Sequence, residues 1–304
     1  MAMEQDIYHI PALLRQTIEA LNIKPGGRYV DATYGGGGHS RAILAELGPE
    51  GRLYSFDQDS DALERATAQP GLTLIHGNFR FLSNFLRYHK ALPVDGILAD
   101  LGVSFHHFDD GERGFSFRTD GPLDMRMNRS ARLTAATVLN TYSPERLADI
   151  FYLYGELRQS RRLAAAVAKA REAAPLNTIF QLLDAVKPLV NPRQEKKELA
   201  QIFQALRIEV NSELSALTSF LTQAAESLRP GGRLAIITYH SLEDRLVKNF
   251  FKSGNIEGRL EKDFFGRTNA PLRQTVSRPI VPDADEIEAN PRSRSAKLRV
   301  AEKL

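Results

Sequence analysis

One segment, in which a buried strand, a glycine-rich turn and a helix follow one another directly, constrains the fold most. An apolar run from Tyr29 ends at Asp31, four glycines fill residues 35–38, and a helical pattern begins near Ser40. Glycine permits positive φ angles and a close approach of the backbone to a ligand, because no Cβ intrudes. The first amides of the helix also lack intrahelical partners. The segment therefore predicts a cofactor-binding turn.

The glycine spacing distinguishes two kinds of cofactor. A dinucleotide fingerprint, G-x-G-x-x-G, needs a third glycine or an alanine where the helix packs on the sheet. Gly35 and Gly37 fit the first two places, but Ser40 takes the third. The acid before the turn, Asp31, favours a ligand with a positive charge and an amine, such as S-adenosylmethionine. A tight turn without a ligand is the third interpretation, although it does not require four glycines and their entropic cost.

Composition excludes several kinds of chemistry. The 304-residue chain has no cysteine, which rules out disulfides, thiolate zinc sites, iron–sulfur clusters and cysteine nucleophiles. No apolar run reaches the length of a membrane span, and the first residues lack the pattern of a signal peptide. These features predict a cytoplasmic protein. Because the net charge is only +3, a polyanionic partner must contact local basic patches.

Three of the first four predicted strands end in an acid, namely Asp31, Asp57 and Asp100. Ligands of open α/β sheets bind beyond the carboxyl ends of the strands, so we expect these carboxylates to share one site. Asp57 ends the second strand, where an acid in such folds accepts hydrogen bonds from ribose hydroxyls. Phe79 follows the third strand and is placed to stack on an adenine.

The strand pattern stops after Ser104. Residues 106–210 contain a loop and several helical patterns, and the fifth strand is predicted only at residues 229–241. We therefore predict an α/β fold with two domains. A discontinuous sheet domain comprises residues 1–105 and 211–304, and an inserted all-helical domain comprises residues 106–210.

Motifs along nearly the whole chain resemble those of the bacterial small-subunit (16S) ribosomal RNA cytosine-N4 methyltransferases. They lie at residues 8–11, 35–40, 57, 100–104, 112–117, 120–126, 204–208, 240–245 and 290–292. Their order and spacing together carry the resemblance. It implies a Rossmann-like methyltransferase sheet that binds S-adenosylmethionine, a helical insertion that helps to hold substrate, and methyl transfer to a cytidine in the decoding region.

By position, the resemblance also implies a set of cofactor contacts. They fall on Gly37, Gly38, His39, Asp57, Phe79, Asp100 and His107. Many members carry Ser-x-Gln where this chain has Phe105, His106 and His107. The imidazole of His107 can still donate or accept a hydrogen bond there.

The chemistry of the expected reaction selects catalytic candidates. The exocyclic amine of cytosine is a poor nucleophile because its lone pair is delocalised into the ring. An enzyme must accept a hydrogen bond from this amine and align it, and such positioning supplies about 7–11 kcal/mol. We hypothesise that Asp100, or a carbonyl of residues 100–104, accepts the bond and that His240 and Ser241 shape the pocket. Alternatively, His240 and Ser241 cap the following helix.

Two basic segments are candidates for RNA contact. The first contains Arg113, Phe115, Phe117, Arg118, Arg126, Arg129 and Arg132, and the second contains Arg292, Arg294, Lys297 and Arg299. Solvated charges and buried aromatics are the alternative interpretation. The expected partner is 16S ribosomal RNA within the small ribosomal subunit, with neither a membrane nor a metal, and a homodimer is left open.

Three rival functions fit parts of the sequence. An RNA-binding or ribosome-assembly module would hold the cofactor without transferring its methyl group, and only an activity measurement separates that role. A nicotinamide dehydrogenase would need the missing third glycine and a catalytic dyad. A DNA amino-methyltransferase would carry a Pro-Pro-aromatic loop where this chain has Leu101, Gly102 and Val103.

Overall fold

The fold is known from a computed structural model, which describes residues 11–102, 110–260 and 270–304. It is an α/β fold, as predicted, and its one sheet has seven strands. A helical segment interrupts the sheet along the chain, again as predicted. The strands are β1 (Arg28–Asp31), β2 (Arg52–Asp57), β3 (Leu72–His76), β4 (Val94–Asp100), β5 (Leu228–Thr238), β6 (Leu272–Gln274) and β7 (Lys297–Lys303).

Helices pack near the sheet and also form the insertion. Those near the sheet are α1 (Leu14–Leu21), α2 (Gly38–Leu47), α3 (Ser60–Glu64), α4 (Leu82–Tyr88), α10 (Glu213–Ser227), α11 (Ser241–Ser253) and α12 (Ala284–Ala289). Those of the insertion are α5 (Ala135–Thr141), α6 (Pro144–Leu153), α7 (Ser160–Ala173), α8 (Ile179–Val186) and α9 (Glu195–Asn211). Short 3-10 helices cover Phe79–Phe81, Gly111–Arg113, Lys187–Leu189 and Pro291–Ser295. Within these described ranges, no helix is long and apolar enough to cross a membrane.

The order of the strands is β3-β2-β1-β4-β5-β7-β6. Strands β1 to β5 are parallel, and β7 runs antiparallel to both β5 and β6. The carboxyl ends of β1, β2, β4 and β5 therefore meet at one edge. In open α/β sheets this is the edge where ligands bind.

Alternating side chains of the sheet enter two separate cores, because neighbouring residues of a strand face opposite sides. Ile97 and Ile236 belong to the core on one face, while Leu98 and Ile237 belong to the core on the other. All four are fully buried. Strands buried on both faces read as continuous apolar runs, which explains why β4 and β5 are visible in the sequence.

Local polar signals set where several helices begin. Ser143 caps α6 ahead of Pro144, whose fixed φ suits the first helical position. Thr178 and Gln181 form a capping box at α8. Asp59 caps α3 by accepting the amide of Asp61.

The contacts separate two compact units. The first unit contains the described residues up to Gly102 and those from Leu214 onward. The second unit contains the described residues between these two parts, from residue 110 to Glu213. The second unit has its own apolar core, with Phe151, Leu163 and Ile202 at its centre. Within its described residues, pairing of extended backbone is confined to one isolated bridge, between Pro122 and Thr178.

Candidate active site

Asp31, at the end of β1, organises the glycine turn from beneath. Its Oδ2 accepts the hydroxyl of Ser40 at 2.7 Å, and its Oδ1 accepts the amide of Thr33 at 3.1 Å. The side chain is fully buried, and this burial raises the pKa of its carboxyl to about 7, against the opposing hydrogen bond from Ser40. Asp31 lies close enough to Asp57 and Asp100 for the charges to interact, as expected, but it has no exposed surface and supports the turn from within.

Ser40 explains why the third glycine of the dinucleotide fingerprint is missing. Its hydroxyl reaches Asp31, and it also lies 2.8 Å from the hydroxyl of Ser55 on β2. Ser40 is itself buried. A glycine here would remove the link that joins the first turn of α2 to both β1 and β2.

Asp57 links the end of β2 to the glycine turn. Its Oδ2 accepts the amide of Gly35 at 2.8 Å, and its Oδ1 accepts the amide of Asp59 at 2.9 Å. Gly35 and Gly37 have φ angles of 52° and 72°, a conformation that glycine adopts without strain. A Cβ on Gly37 would also overlap the ring of Tyr34 at 2.7 Å. The turn thus holds the Asp57 carboxylate at the sheet edge.

Gly38 and His39 form the first turn of α2. A Cβ on Gly38 would overlap the ring of Pro11, so close packing already requires a glycine at this position. His39 is only 5% exposed, and its Nε2 has no hydrogen-bond partner among the described residues. Burial lowers the pKa of His39 to about 4, although a backbone hydrogen bond with Ala12 opposes this. The imidazole is therefore uncharged at neutral pH.

Asp100 ends β4 and is held from three sides. Its amide donates to the hydroxyl of Thr33 at 2.7 Å, and its Oδ1 accepts the phenol of Tyr239 at 2.8 Å. Its Oδ2 lies 3.8 Å from Nδ1 of His39, and 22% of the side chain stays exposed. Burial raises the pKa of Asp100 to about 7; the hydrogen bond from Tyr239 lowers it, and the charges of Asp31 and Glu243 raise it.

Tyr239, which follows β5, was not selected by the sequence. Burial and the neighbouring Asp100 raise its pKa well above the usual value, so it remains a hydrogen-bond donor. Its ring packs against Gly102, where an added Cβ would lie 3.0 Å away. The only signal in the sequence is its place directly before His240 and Ser241.

His240 caps α11, as the alternative interpretation predicted. Its Nδ1 accepts the amide of Glu243 at 3.5 Å, and Oε2 of Glu243 accepts the amide of Tyr239 at 3.0 Å. His240 Nε2 lies 3.1 Å from Oε1 of Glu243. Ser241 is the first residue of the helix. The cap places His240 at the edge where Asp100 also lies, and its predicted catalytic part stays a prediction.

The remaining predicted cofactor contacts lie at the same edge or outside the described chain. Phe79 begins a 3-10 helix after β3 and packs edge-on against Phe220, with ring centroids 5.2 Å apart. His107 lies outside the described residues, as do motif residues 8–10 and 103–104.

The residues at this edge fit S-adenosylmethionine. A carboxylate, Asp57, matches a pair of ribose hydroxyls, and an aromatic ring, Phe79, matches an adenine. The buried Nε2 of His39 still lacks a partner among the residues described, which is the kind of polar group that a ligand satisfies.

The first basic segment is largely structural, contrary to the prediction. Arg113 is buried, and its guanidinium donates to the carbonyls of Arg126 and Met127 at 3.0 and 3.2 Å. Phe115 is buried as well, and Arg126 pairs with Asp124 at 2.7 Å. Phe117 is half-buried against Phe203. The exposed members are Arg118, Arg129 and Arg132.

The second basic segment divides in the same way. Arg299 is buried and pairs with Asp244 at 2.7 Å, and Lys297 lies 3.6 Å from the same carboxylate. These two cations link β7 to α11; Arg299 is buried, whereas 44% of the Lys297 side chain stays exposed. Arg292 and Arg294 are exposed.

Comparison with known proteins identifies the family. The model of the MraW methylase family matches residues 6–304. The chain belongs to the MraW methylase family. Proteins named ribosomal RNA small subunit methyltransferase H are 60% identical over 303 residues in Bacteroides fragilis and 58% identical over 305 residues in Parabacteroides distasonis. Both alignments cover 100% of this chain and 100% of the relative.

Solved structures are more distant from this MraW family chain. TrmN from Thermus thermophilus is 15% identical, with a TM-score of 0.43, over 96% of this chain and 48% of that one. An rRNA methylase from Streptococcus thermophilus is 14% identical, with a TM-score of 0.38, over 96% and 93%. Family membership confirms the predicted enzyme class and methyl donor, a methyltransferase dependent on S-adenosylmethionine.

Proposed function

We propose that this MraW family chain methylates the exocyclic amine, N4, of a cytidine in the decoding region of 16S ribosomal RNA. The observation that carries the proposal is the carboxylate of Asp100, at the ligand-binding edge of the sheet. Tyr239 holds one oxygen at 2.8 Å, the backbone is fixed by Thr33, and part of the side chain stays exposed. A carboxylate oriented in this way suits an acceptor for an amine N–H.

Cofactor binding is assigned to residues of the same edge. Asp57 would accept hydrogen bonds from the ribose hydroxyls, and Phe79 would stack on the adenine. The turn of Gly37, Gly38 and His39 would line the remainder of the site. Bound S-adenosylmethionine supplies an electrophilic methyl group on its sulfonium centre. The neutral imidazole of His39 adds no second positive charge beside that cation.

Asp100 then has two tasks toward the substrate. Its ionised carboxylate accepts a hydrogen bond from the cytosine amine, which holds the nitrogen in line with the methyl carbon. It also accepts the proton that the amine must lose. The pKa of Asp100, raised to about 7, suits both tasks, because a base poised near the working pH transfers protons most efficiently. His240, capping the adjoining helix, shapes the wall of the pocket.

The RNA partner follows from the names of the relatives, which specify the small ribosomal subunit. The substrate proposed here is 16S ribosomal RNA within that subunit, in the cytoplasm. The inserted unit, residues 106–210 in our sequence prediction, would hold the RNA. A homodimer is the simplest assembly to test beside a monomer.

The deciding experiment incubates the protein and labelled S-adenosylmethionine with small ribosomal subunits that lack the modification. Naked 16S RNA and DNA serve as parallel substrates, and nucleosides are then analysed by mass spectrometry. The expected result is label on N4 of cytidine alone. Label on another base or on a ring carbon would refute the assigned chemistry. Cofactor binding without transfer to any substrate would instead indicate a non-catalytic assembly factor.

A further inference from the structure

One end of the helix pair α6 and α7 carries exposed aromatic and basic residues together. The two helices are joined by residues 154–159 and pack through Phe151 on α6 and Leu163 on α7. The last residues of α6 and the first of α7 therefore lie at the same end. We call this surface the hairpin end; it consists of Tyr152, Leu153, Arg158, Arg161 and Arg162.

The connection that forms the hairpin end is held firmly from beneath. Gln204 on α9 donates to the carbonyl of Tyr154 at 2.9 Å, and Gln159 donates to Glu198 at 2.7 Å. Gly155 lies so close to α9 that an added Cβ would be 3.0 Å from the carbonyl of Gln201. The exposed residues thus project from a fixed base.

Some arginines of this unit have structural partners and others are exposed, among them Arg118, Arg129 and Arg132 of the first basic segment. Those with a structural task bind carbonyls or carboxylates; they are Arg113, Arg126, Arg146, Arg171 and Arg207. The guanidinium groups of Arg158, Arg161 and Arg162 are exposed and make no hydrogen bond or ion pair with any residue in the described ranges.

Their arrangement does not stabilise the fold. Arg158 precedes α7, and Arg161 and Arg162 stand in its first turn, which contains no acid. Positive charges at this end of a helix oppose the helix dipole, and like charges three or four residues apart repel one another. Three unpaired cations in five residues are stabilised instead when a polyanion is near.

The exposed apolar groups narrow the choice of polyanion. Tyr152 is 61% exposed and Leu153 is 55% exposed, at the same end of the helix pair as the three arginines. Single-stranded RNA offers phosphates to guanidinium groups and base faces to aromatic rings, and proteins that bind it combine the two. Resting on the proposed function, we propose that the hairpin end binds a single-stranded segment of the substrate RNA, with Tyr152 stacking on a base.

The charge part is tested by the double variant Arg161→Gln and Arg162→Gln in the full chain. The matched control, Lys169→Gln with Lys187→Gln, removes two exposed charges of the same unit, one in the second half of α7 and one just after α8. Binding of a fluorescent single-stranded 16S fragment is titrated against salt, without a methyl donor. We expect the slope of log affinity against log salt to fall by about 1.4 for the hairpin-end pair, since each single-strand contact contributes about 0.7. The control should keep its slope.

The stacking part is tested by Tyr152→Ala, which we expect to weaken binding about tenfold at fixed salt. Its control is Phe180→Ala, another exposed aromatic of this unit. Equal slopes for both charge pairs, or equal losses for both aromatic variants, would overturn the proposal. A defect seen only with assembled subunits would overturn it too, because the contact would then not be with single-stranded RNA itself.

These measurements do not depend on methyl transfer. Failure of the unmodified protein to methylate cytidine would refute the proposed function but leave the binding data intact. A hairpin-end variant that binds RNA normally, in a protein that does transfer methyl groups, would refute only this inference.

Discussion

The sheet edge and the hairpin end use charged side chains in opposite ways. At the sheet edge, Asp31 and Asp100 are held by short hydrogen bonds, and burial raises the pKa of each to about 7. At the hairpin end, Arg161 and Arg162 are exposed and keep no partner in the described structure. Buried charge with fixed geometry suits chemistry on one small group, whereas exposed charge suits attraction of an extended polyanion.

The sheet edge itself contains two kinds of carboxyl group. Asp31 has no exposed surface and serves Ser40 and Thr33, while Asp100 keeps part of its side chain open. Both follow the same sequence rule, an acid at the end of an apolar strand. Because their surroundings differ, we assign a structural role to Asp31 and a chemical role to Asp100, and variants can test this assignment.

The largest effect is expected for Asp100→Asn, which removes the negative charge and the proton acceptor while conserving size. Turnover at saturating cofactor should fall about 1,000-fold, in the range of a lost general base. Asp285→Asn, an exposed acid on α12, is the matched control and should leave turnover unchanged. Turnover in Asp100→Asn within a few-fold of the unmodified protein would remove Asp100 from the mechanism.

Asp31→Ala should act on stability. It leaves the amide of Thr33 without its acceptor and the buried hydroxyl of Ser40 with only Ser55, at a cost of about 3 kcal/mol in unfolding free energy. Urea denaturation measures this cost. Asp283→Ala, which removes an exposed cap of α12, should cost only about 1 kcal/mol. Equal losses of unfolding free energy in the two variants would show that Asp31 contributes no more to stability than an exposed helix cap.

Gly155→Ala should disturb the base of the hairpin end without changing its charge. The new Cβ would meet the carbonyls of Phe151 and Gln201 at 2.7 and 3.0 Å, and backbone shifts of this kind cost about 2 kcal/mol. The control is Gly111→Ala, where the nearest atom is 3.8 Å away. RNA affinity should weaken only in Gly155→Ala. Full RNA affinity in a destabilised Gly155→Ala protein would show that binding does not need the fixed base.

The smallest effect is expected for Tyr239→Phe, which removes a hydrogen bond that lowers the pKa of Asp100. Since the ionised carboxylate is the active form, kcat/KM should fall as the pH drops below about 7. In the variant this fall should begin at higher pH, with a shift of about half a unit giving about a threefold loss on the acid side.

The other groups facing Asp100 do not reverse that sign. Among the described residues these are His39, Asp31 and Glu243. His39 stays neutral above about pH 4, and the two acids only raise the pKa of Asp100. Tyr29→Phe, a buried phenol at the start of β1, is the control and should keep the original profile. Superimposable profiles for all three proteins would show that the phenol of Tyr239 does not tune Asp100.

Strands with continuous apolar runs were predictable because burial on both faces leaves a clear signal. β2 ends at Asp57 and β4 at Asp100, as predicted. The fifth strand was predicted too long, because β5 ends at Thr238. Tyr239 and His240, beyond that end, leave the sheet and lie near Asp100 and at the start of α11.

Other features of the fold could not be predicted because no local sequence pattern specifies them. The helical spacing of Phe81 and Phe85 predicts that both lie in the core. Phe81 is instead 51% exposed, since it lies in a 3-10 helix where α-helical spacing does not apply. Short polar elements such as β6 and α12 have no periodic pattern to detect. The bond from Tyr239 to Asp100 depends on the pairing of β4 with β5, which no local pattern specifies.

The sheet is assembled from distant parts of the chain, and this imposes an order on its synthesis. β4 pairs with β5 across residues 101–227, and β7, near the end of the chain, lies between β5 and β6. Closing so long a loop costs little stability, since each doubling of length adds about 0.6 kcal/mol. The effect on timing is more important: because translation adds only about 5–20 residues per second, β4 must wait for β5 to be synthesised. The helical unit is complete before Tyr239 is translated, so the proposed RNA-binding surface is synthesised before the proposed catalytic edge is finished.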